Sequence, residues 1–316
     1  KELIQKSEEE INAIVDNPEA PTFENVIEAL AYSGEQLDVV SNIFFNLNSA
    51  ETSDEIQQIA QEVSPILTEY SSKISQNEAL FNKIKKVYDE KEKYNLNEEQ
   101  EMLLNETYKG FVRSGALLNE EDKEKLKKIS MDLSLKSLQF GQNVLASTNN
   151  YFKHITNKED LAGIPEAILE QYAEEAKERN LNVLACIGNT RSSIEPFLTF
   201  SSRRDLREKA FDIFIKRGDN ENANNTNATL VSILELRAKK AKILGFNNFA
   251  EWSLSNKMAK DPQKTLDLME SVWTPAVEKV KSDVSAMQKM VDEEGGNFKI
   301  QPWDYRYYAE KVRKAK

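Results

Sequence analysis

Asn119-Glu-Glu-Asp-Lys-Glu-Lys-Leu126-Lys-Lys-Ile129-Ser-Met-Asp-Leu133-Ser-Leu-Lys-Ser-Leu138-Gln-Phe140-Gly-Gln-Asn-Val144-Leu145 decides the fold class. The apolar residues at 126, 129, 133, 138, 140 and 144 recur at helical spacing, and the first turn is acidic, as the positive end of a helix dipole prefers. A long amphipathic helix over 119–145 is therefore expected as the spine of the molecule.

Segments on either side read the same way. Upstream, Leu3, Ile4, Ile11, Ile14 and Val15 predict a first helix, broken by Asn17-Pro-Glu-Ala-Pro21. Thr22 then caps a helix running to about Asn46, with Gly34 inside it allowing a close helix approach. Thr52 with Glu55, and Asn97 with Gln100, have capping-box spacing ahead of two more helices. Downstream, Pro165 opens a helix to about Asn180, and Ser202 caps one that ends at Gly218. Another spans Asn224 to Leu244 before Gly245. Asp261-Pro262 is an N-cap followed by Pro at N1, starting a helix to Val291, and Pro302-Trp-Asp-Tyr opens the last. Strand is expected in one place. Val183–Ile187 and Ile194–Phe200 are short apolar runs around Gly188-Asn189, so at most one small β hairpin is predicted near 183–200. A polar stretch from about 146 to 165 is the soft boundary between a helical bundle region, 1–146, and a second helical region, 147–316.

Composition agrees. Ten Gly and eight Pro in 316 residues are few, which favours long helices, and 40% hydrophobic content is enough for a substantial core. The 42 Lys and Arg against 53 Asp and Glu give a net charge of −11 with no basic face, which argues against nucleic acid as a partner. No apolar run is long enough to span a bilayer, so no membrane association is expected. The single cysteine, Cys186, has apolar neighbours and reads as a buried, inert thiol.

The chemistry is notable for what is missing. His154 is the only histidine, so a zinc site built on two histidines is excluded by count, and neither catalytic nor metal-binding residues are assigned to this chain. No phosphate loop, dinucleotide fingerprint or serine-hydrolase elbow is present. Three segments remain, of which Ala238-Lys-Lys-Ala-Lys-Ile-Leu-Gly245-Phe246, leading to Met258-Ala-Lys260, reads first as core plus a tight helix end. Arg203, Arg204 and Arg207, with Arg217, can either pair internally or grip a substrate carboxylate, internal pairing being the simpler reading. Pro302-Trp303-Asp304-Tyr305-Arg306-Tyr307-Tyr308 reads first as packing, although tyrosines at a helix start can also face a peptide channel.

A set of short motifs runs in order along nearly the whole chain: Asn17-Pro-Glu-Ala-Pro-Thr-Phe-Glu-Asn25, Phe111-Val-Arg-Ser-Gly-Ala116, Phe140-Gly-Gln-Asn143, Glu195-Pro-Phe-Leu198, Arg204-Asp-Leu-Arg-Glu208, Leu244-Gly-Phe246, Met258-Ala-Lys260 and Pro302-Trp-Asp304 with Tyr307-Tyr308. In these the chain resembles the bacterial peptidyl-dipeptidases of the thimet oligopeptidase and neurolysin family of zinc metallopeptidases. It departs from them at Leu184-Ala-Cys-Ile-Gly-Asn-Thr-Arg-Ser192 and in lacking a proline-rich leader. The resemblance implies a mostly α, neurolysin-like body of antiparallel helices around a channel that admits short peptides.

It also implies a zinc ion held by a His-Glu-x-x-His helix and a later glutamate, in a half that begins about where residue 316 stands. The implied reaction is attack of a zinc-activated water on a peptide carbonyl, releasing a dipeptide from the carboxyl end. Zinc is thus expected in the intact parent and none in this chain, which is expected to be inactive alone. Arg217, Trp303, Tyr307 and Tyr308 are the channel-lining candidates. A cytoplasmic location is expected, with the periplasm as the alternative. An uncovered channel wall would favour self-association of the fragment. The other readings are an endo-acting oligopeptidase of the same family and a non-catalytic helical scaffold or binding module.

Overall fold

The computed structural model describes residues 1–150 and 153–315; Tyr151, Phe152 and Lys316 lie outside them. The described residues are mostly helical. In chain order the helices are α1 (Glu2–Asp16), a π turn (Phe23–Glu28), α2 (Ala29–Tyr32), α3 (Glu35–Ala50), α4 (Asp54–Ser75), α5 (Glu78–Asp89), α6 (Glu98–Arg113) and α7 (Glu120–Asn150). After strand β1 (Lys153–Ile155) come α8 (Glu166–Glu178), strand β2 (Ala185–Ile187), α9 (Arg191–Phe200), α10 (Arg204–Ile215), α11 (Asn227–Ile243), α12 (Phe249–Leu254), α13 (Pro262–Glu293) and α14 (Tyr305–Ala315). None of the described helices is long and apolar enough to cross a membrane.

Side-chain caps explain several helix starts. The Asn25 backbone N–H donates to Thr22 Oγ1 at 3.2 Å while the Thr22 N–H donates to Asn25 Oδ1 at 2.7 Å, closing a capping box on the π turn. Asn97 and Gln100 form the second box, and Asp261 Oδ1 accepts from the Lys264 N–H at 3.0 Å ahead of α13. Two expected caps are corrected. Ser53 rather than Thr52 accepts from the Ile56 N–H, and Ser202 donates to the Ala162 carbonyl while α10 starts one residue later. The helix expected from Thr22 to Asn46 is also interrupted, because Gly34 stands at φ +74° and separates α2 from α3. Its N–H donates to Glu10 at 2.8 Å, and a Cβ there would lie 2.8 Å from Ser7 Oγ. The close approach read from the sequence is present, but at a left-handed break.

The expected hairpin near 183–200 is corrected as well. β2 pairs antiparallel with β1, setting Lys153 opposite Ile187, His154 opposite Cys186 and Ile155 opposite Ala185. The second half of the predicted hairpin is α9. Ile194, Phe197 and Leu198 are at i, i+3 and i+4, all three are buried, and Arg191 pairs with Glu195 one turn on. Gly188-Asn189 leads into this helix, with the Gly188 N–H donating to Ser193 Oγ at 2.9 Å.

The chain forms two compact units. The first comprises 1–139 and 231–257, and the second 140–230 and 258–316. In the first, Ile11, Ile14, Phe23, Val26, Leu80, Ile84 and Leu104 make the core, so α1, the π turn, α5 and α6 share one apolar centre. In the second, Ile155, Tyr172, Ile187, Ile194, Phe197 and Leu206 join the two strands to α8, α9 and α10. A smaller cluster of Met287, Val291 and Tyr308 binds α13 to α14.

Candidate functional site

α10 begins Arg204-Asp-Leu-Arg207, so its first and fourth residues project from the same side, one turn apart. Both arginines reach Asp304, in the 3-10 turn Pro302–Asp304 that leads into α14. Arg204 donates from Nε to both carboxylate oxygens at 3.1 Å and from Nη2 to Oδ2 at 2.9 Å. Arg207 donates from Nη2 to Oδ1 at 2.8 Å, from Nη1 to the Ser201 carbonyl at 2.7 Å and from Nε to the Trp303 carbonyl at 3.2 Å. The Gln301 N–H also donates to Asp304 Oδ2, at 3.1 Å. Asp304 is 0% exposed and the Arg207 side chain 2%.

Aromatic rings close over this ion cluster. The Arg204 guanidinium lies 4.2 Å from the Phe298 ring centre and that of Arg207 lies 4.2 Å from Tyr307. Tyr307 meets Tyr308 edge to face at 5.2 Å. Trp303 is half-buried, with its indole Nε1–H buried and without an acceptor among the described residues. Burial raises the Tyr308 phenol above its ordinary pKa. Both carboxylate oxygens of Asp304 are engaged, so this side chain is a clamp fastening the 302–304 turn to α10.

The candidates Trp303, Tyr307 and Tyr308 are thus neighbours, whereas Arg217 follows the far end of α10, a helix roughly 18 Å long at 1.5 Å per residue. Arg217 donates from Nε to the Phe214 carbonyl at 3.0 Å and stacks 4.1 Å from the Phe214 ring. Tyr307 is half-buried, and Tyr308 is buried against α13 behind it. Beside Tyr305 and Arg306 a cleft of about 600 Å³ opens between α9, α10 and α14, with Leu198 and Phe211 as its apolar floor and Glu310 and Arg313 at its edge. The Arg306 guanidinium donates to Glu195 at 2.7 Å. Asp304 itself was legible only as a letter in a motif: nothing in the sequence ties residue 304 to residues 204 and 207.

Elsewhere the reactive side chains are quiet. Cys186 is 0% exposed, and burial pushes its thiol up to about 11. His154 is exposed on β1. Among the described residues no three His, Cys, Asp or Glu side chains gather as a metal site. The residues present therefore do not fit a zinc ion, and no metal-dependent step can be derived on them.

Comparison with known proteins gives the same direction along the whole chain. Residues 1–123 match the family described as Neurolysin/Thimet oligopeptidase, N-terminal domain, and residues 197–316 match Peptidase family M3. The chain is 33% identical over 315 residues to the dipeptidyl carboxypeptidase of Escherichia coli, covering 100% of this chain and 46% of that protein. It is 29% identical to oligopeptidase A of Haemophilus influenzae, covering 99% of this chain and 46% of that protein. Against a probable cytosolic oligopeptidase A of Arabidopsis thaliana it is 27% identical, with 99% and 46% covered. The chain spans about half the length of the curated relatives it matches. Residues 1–123 thus carry a match to the neurolysin/thimet oligopeptidase N-terminal domain and residues 197–316 a match to peptidase family M3.

Proposed function

We propose that this chain is the channel-forming front part of a zinc-dependent oligopeptidase that releases dipeptides from the carboxyl end of short peptides. The observation that carries this reading is the 33% identity, over the full length of the chain, to a dipeptidyl carboxypeptidase. In this reading the zinc and the general base come from a partner segment outside residues 1–316, and the chain alone binds no stoichiometric zinc and cuts no peptide. Arg217, Trp303, Tyr307 and Tyr308 are its channel candidates, Tyr308 being buried and packed edge to face on Tyr307.

Apolar exposure supports the same reading. Leu268, Met269, Val272 and Trp273 on α13 are each 60% exposed or more, a surface that a covering partner or a second copy would bury. The 29% identity to an oligopeptidase A favours a second reading, an endo-acting enzyme. Digestion of an internally quenched peptide blocked at its carboxyl end, using the protein encoded by the whole reading frame, separates the two. Stepwise dipeptide release from the free but not the blocked peptide supports the first; internal cleavage of both supports the second. A reading frame ending at residue 316 would remove both in favour of a non-catalytic scaffold.

A further inference from the structure

A second cavity, of about 520 Å³, lies within the first unit and has a lining unlike that of the α9/α10/α14 cleft. Ser64, Thr68, Ser71, Ser72 and Ser75 all line it from α4, at spacings of three and four that set them on one side of that helix. Ser130 and Ser134, one turn apart, line it from α7. A packed helix interface normally presents apolar residues at such positions, because an unpaired buried hydroxyl costs free energy.

Two cations complete the lining. Arg113, the last residue of α6, and Lys240, on α11, lie on the Trp252 ring with their charged ends 4.9 and 4.6 Å from its centre. Arg113 donates from Nη1 to the Trp252 carbonyl at 2.9 Å and to the Ser255 hydroxyl, which leaves Nε and Nη2 uncommitted among the described residues. Lys240 Nζ donates to no described protein acceptor. No Asp or Glu lines the cavity. Two neighbouring positive charges therefore share a partly desolvated, hydroxyl-rich space whose lining carries no carboxylate, met by the Trp252 ring and, for Arg113, by the Trp252 carbonyl and the Ser255 hydroxyl. Burial, with Arg113 beside it, holds the Lys240 ammonium below its ordinary pKa, as it would where no counter-charge is at hand.

We infer that this cavity is a binding site for an oxyanion of the phosphate class, gripped by Arg113 and Lys240 and hydrogen-bonded by hydroxyls of α4 and α7. Phosphate oxygens accept from guanidinium, ammonium and hydroxyl donors alike. Thr68 and Ser75 donate to the Ser64 and Ser72 carbonyls of their own helix, so the hydroxyl donors for the site are those of Ser64, Ser71, Ser72, Ser130 and Ser134, beside Arg113 and Lys240. The volume leaves room for inorganic phosphate or for the head of a small organic phosphate. The site shares no residue with the Asp304 clamp and does not rest on the peptidase reading.

Calorimetric titration of the 316-residue chain tests it, using inorganic phosphate, glycerol phosphate and acetate as probes, with indole fluorescence recorded in parallel. Saturable binding of one or both phosphates, at one site and tighter than acetate, is expected. Tighter binding of glycerol phosphate would identify an organic source, and tighter binding of inorganic phosphate a free one. Lys240→Met keeps the aliphatic stem on Trp252 and removes the charge, so it weakens binding by about tenfold or more, the worth of one charge-assisted hydrogen bond. Lys240→Arg retains it. Absence of saturable phosphate binding, acetate binding as tightly as phosphate, or wild-type affinity in a folded Lys240→Met variant would each overturn the assignment. Lys240→Gln serves as the second charge-removing variant.

Discussion

Replacing Asp304 with Asn removes one negative charge from the fully buried centre of the α10 clamp. The amide keeps the volume and one acceptor oxygen, yet turns an NH2 toward two guanidiniums. Arg204 is 35% exposed and can swing toward water, so its loss is discounted for solvent screening. Arg207 has a side chain 2% exposed and cannot. Breaking a buried pair by removing one partner costs about 3–5 kcal/mol, because the surviving charge stays desolvated, and Arg207 meets that condition. The cost should be confined to the second unit. Hydrogen exchange read by mass spectrometry, across a urea series, would follow peptides from α10 and α14 separately from those of α5 and α6. We expect the stability of the first pair to fall by about 3–5 kcal/mol and that of the second to stay unchanged within about 0.5 kcal/mol, as distant sites behave independently. The double variant Arg207→Met with Asp304→Leu should recover most of the loss, since apolar replacements of a buried pair are often neutral. A single-variant loss under about 1 kcal/mol would refute the view that this cluster fastens the 302–304 turn.

Two further outcomes follow from local geometry. Gly34→Ala places a Cβ 2.8 Å from Ser7 Oγ at φ +74°, and should lower stability of the first unit by about 1–3 kcal/mol in the same exchange measurement. Cys186, with its thiol pushed up to about 11, holds about 0.1% thiolate at pH 8 and is enclosed. Iodoacetamide should therefore leave it unlabelled in the native chain over hours and label it promptly in urea; rapid native labelling would mean the strand pair opens freely.

Most helices were plain in the sequence because one or more local signals mark them: apolar residues at 3.6-residue spacing, a cap such as Thr22, Asn97 or Asp261, or a glycine stop such as Gly218 or Gly245. The segment 191–200 misled because its β-favouring Ile, Phe and Thr, and its Pro196, outweighed a buried 194/197/198 spacing visible only once the partners are known. β1 is three residues long, too short to show any period. Of the clamp, the arginines were legible as an anomalous cluster. Asp304 was not, since about 100 residues separate the partners and no local rule links them. The Arg113, Lys240 and Trp252 grouping was invisible for the same reason.

The discontinuous make-up of the first unit sets an order on biosynthesis. Its share of α11, and all of α12, are encoded after the stretch 140–230 that belongs to the other unit. A nascent chain emerging from the ribosome can build the α1, α5 and α6 core early, yet Trp252 reaches Arg113 only after some 140 further residues have been made. Until then the end of α6 lacks its aromatic cover, and a chaperone that recognises exposed apolar helix surface has that interval in which to act.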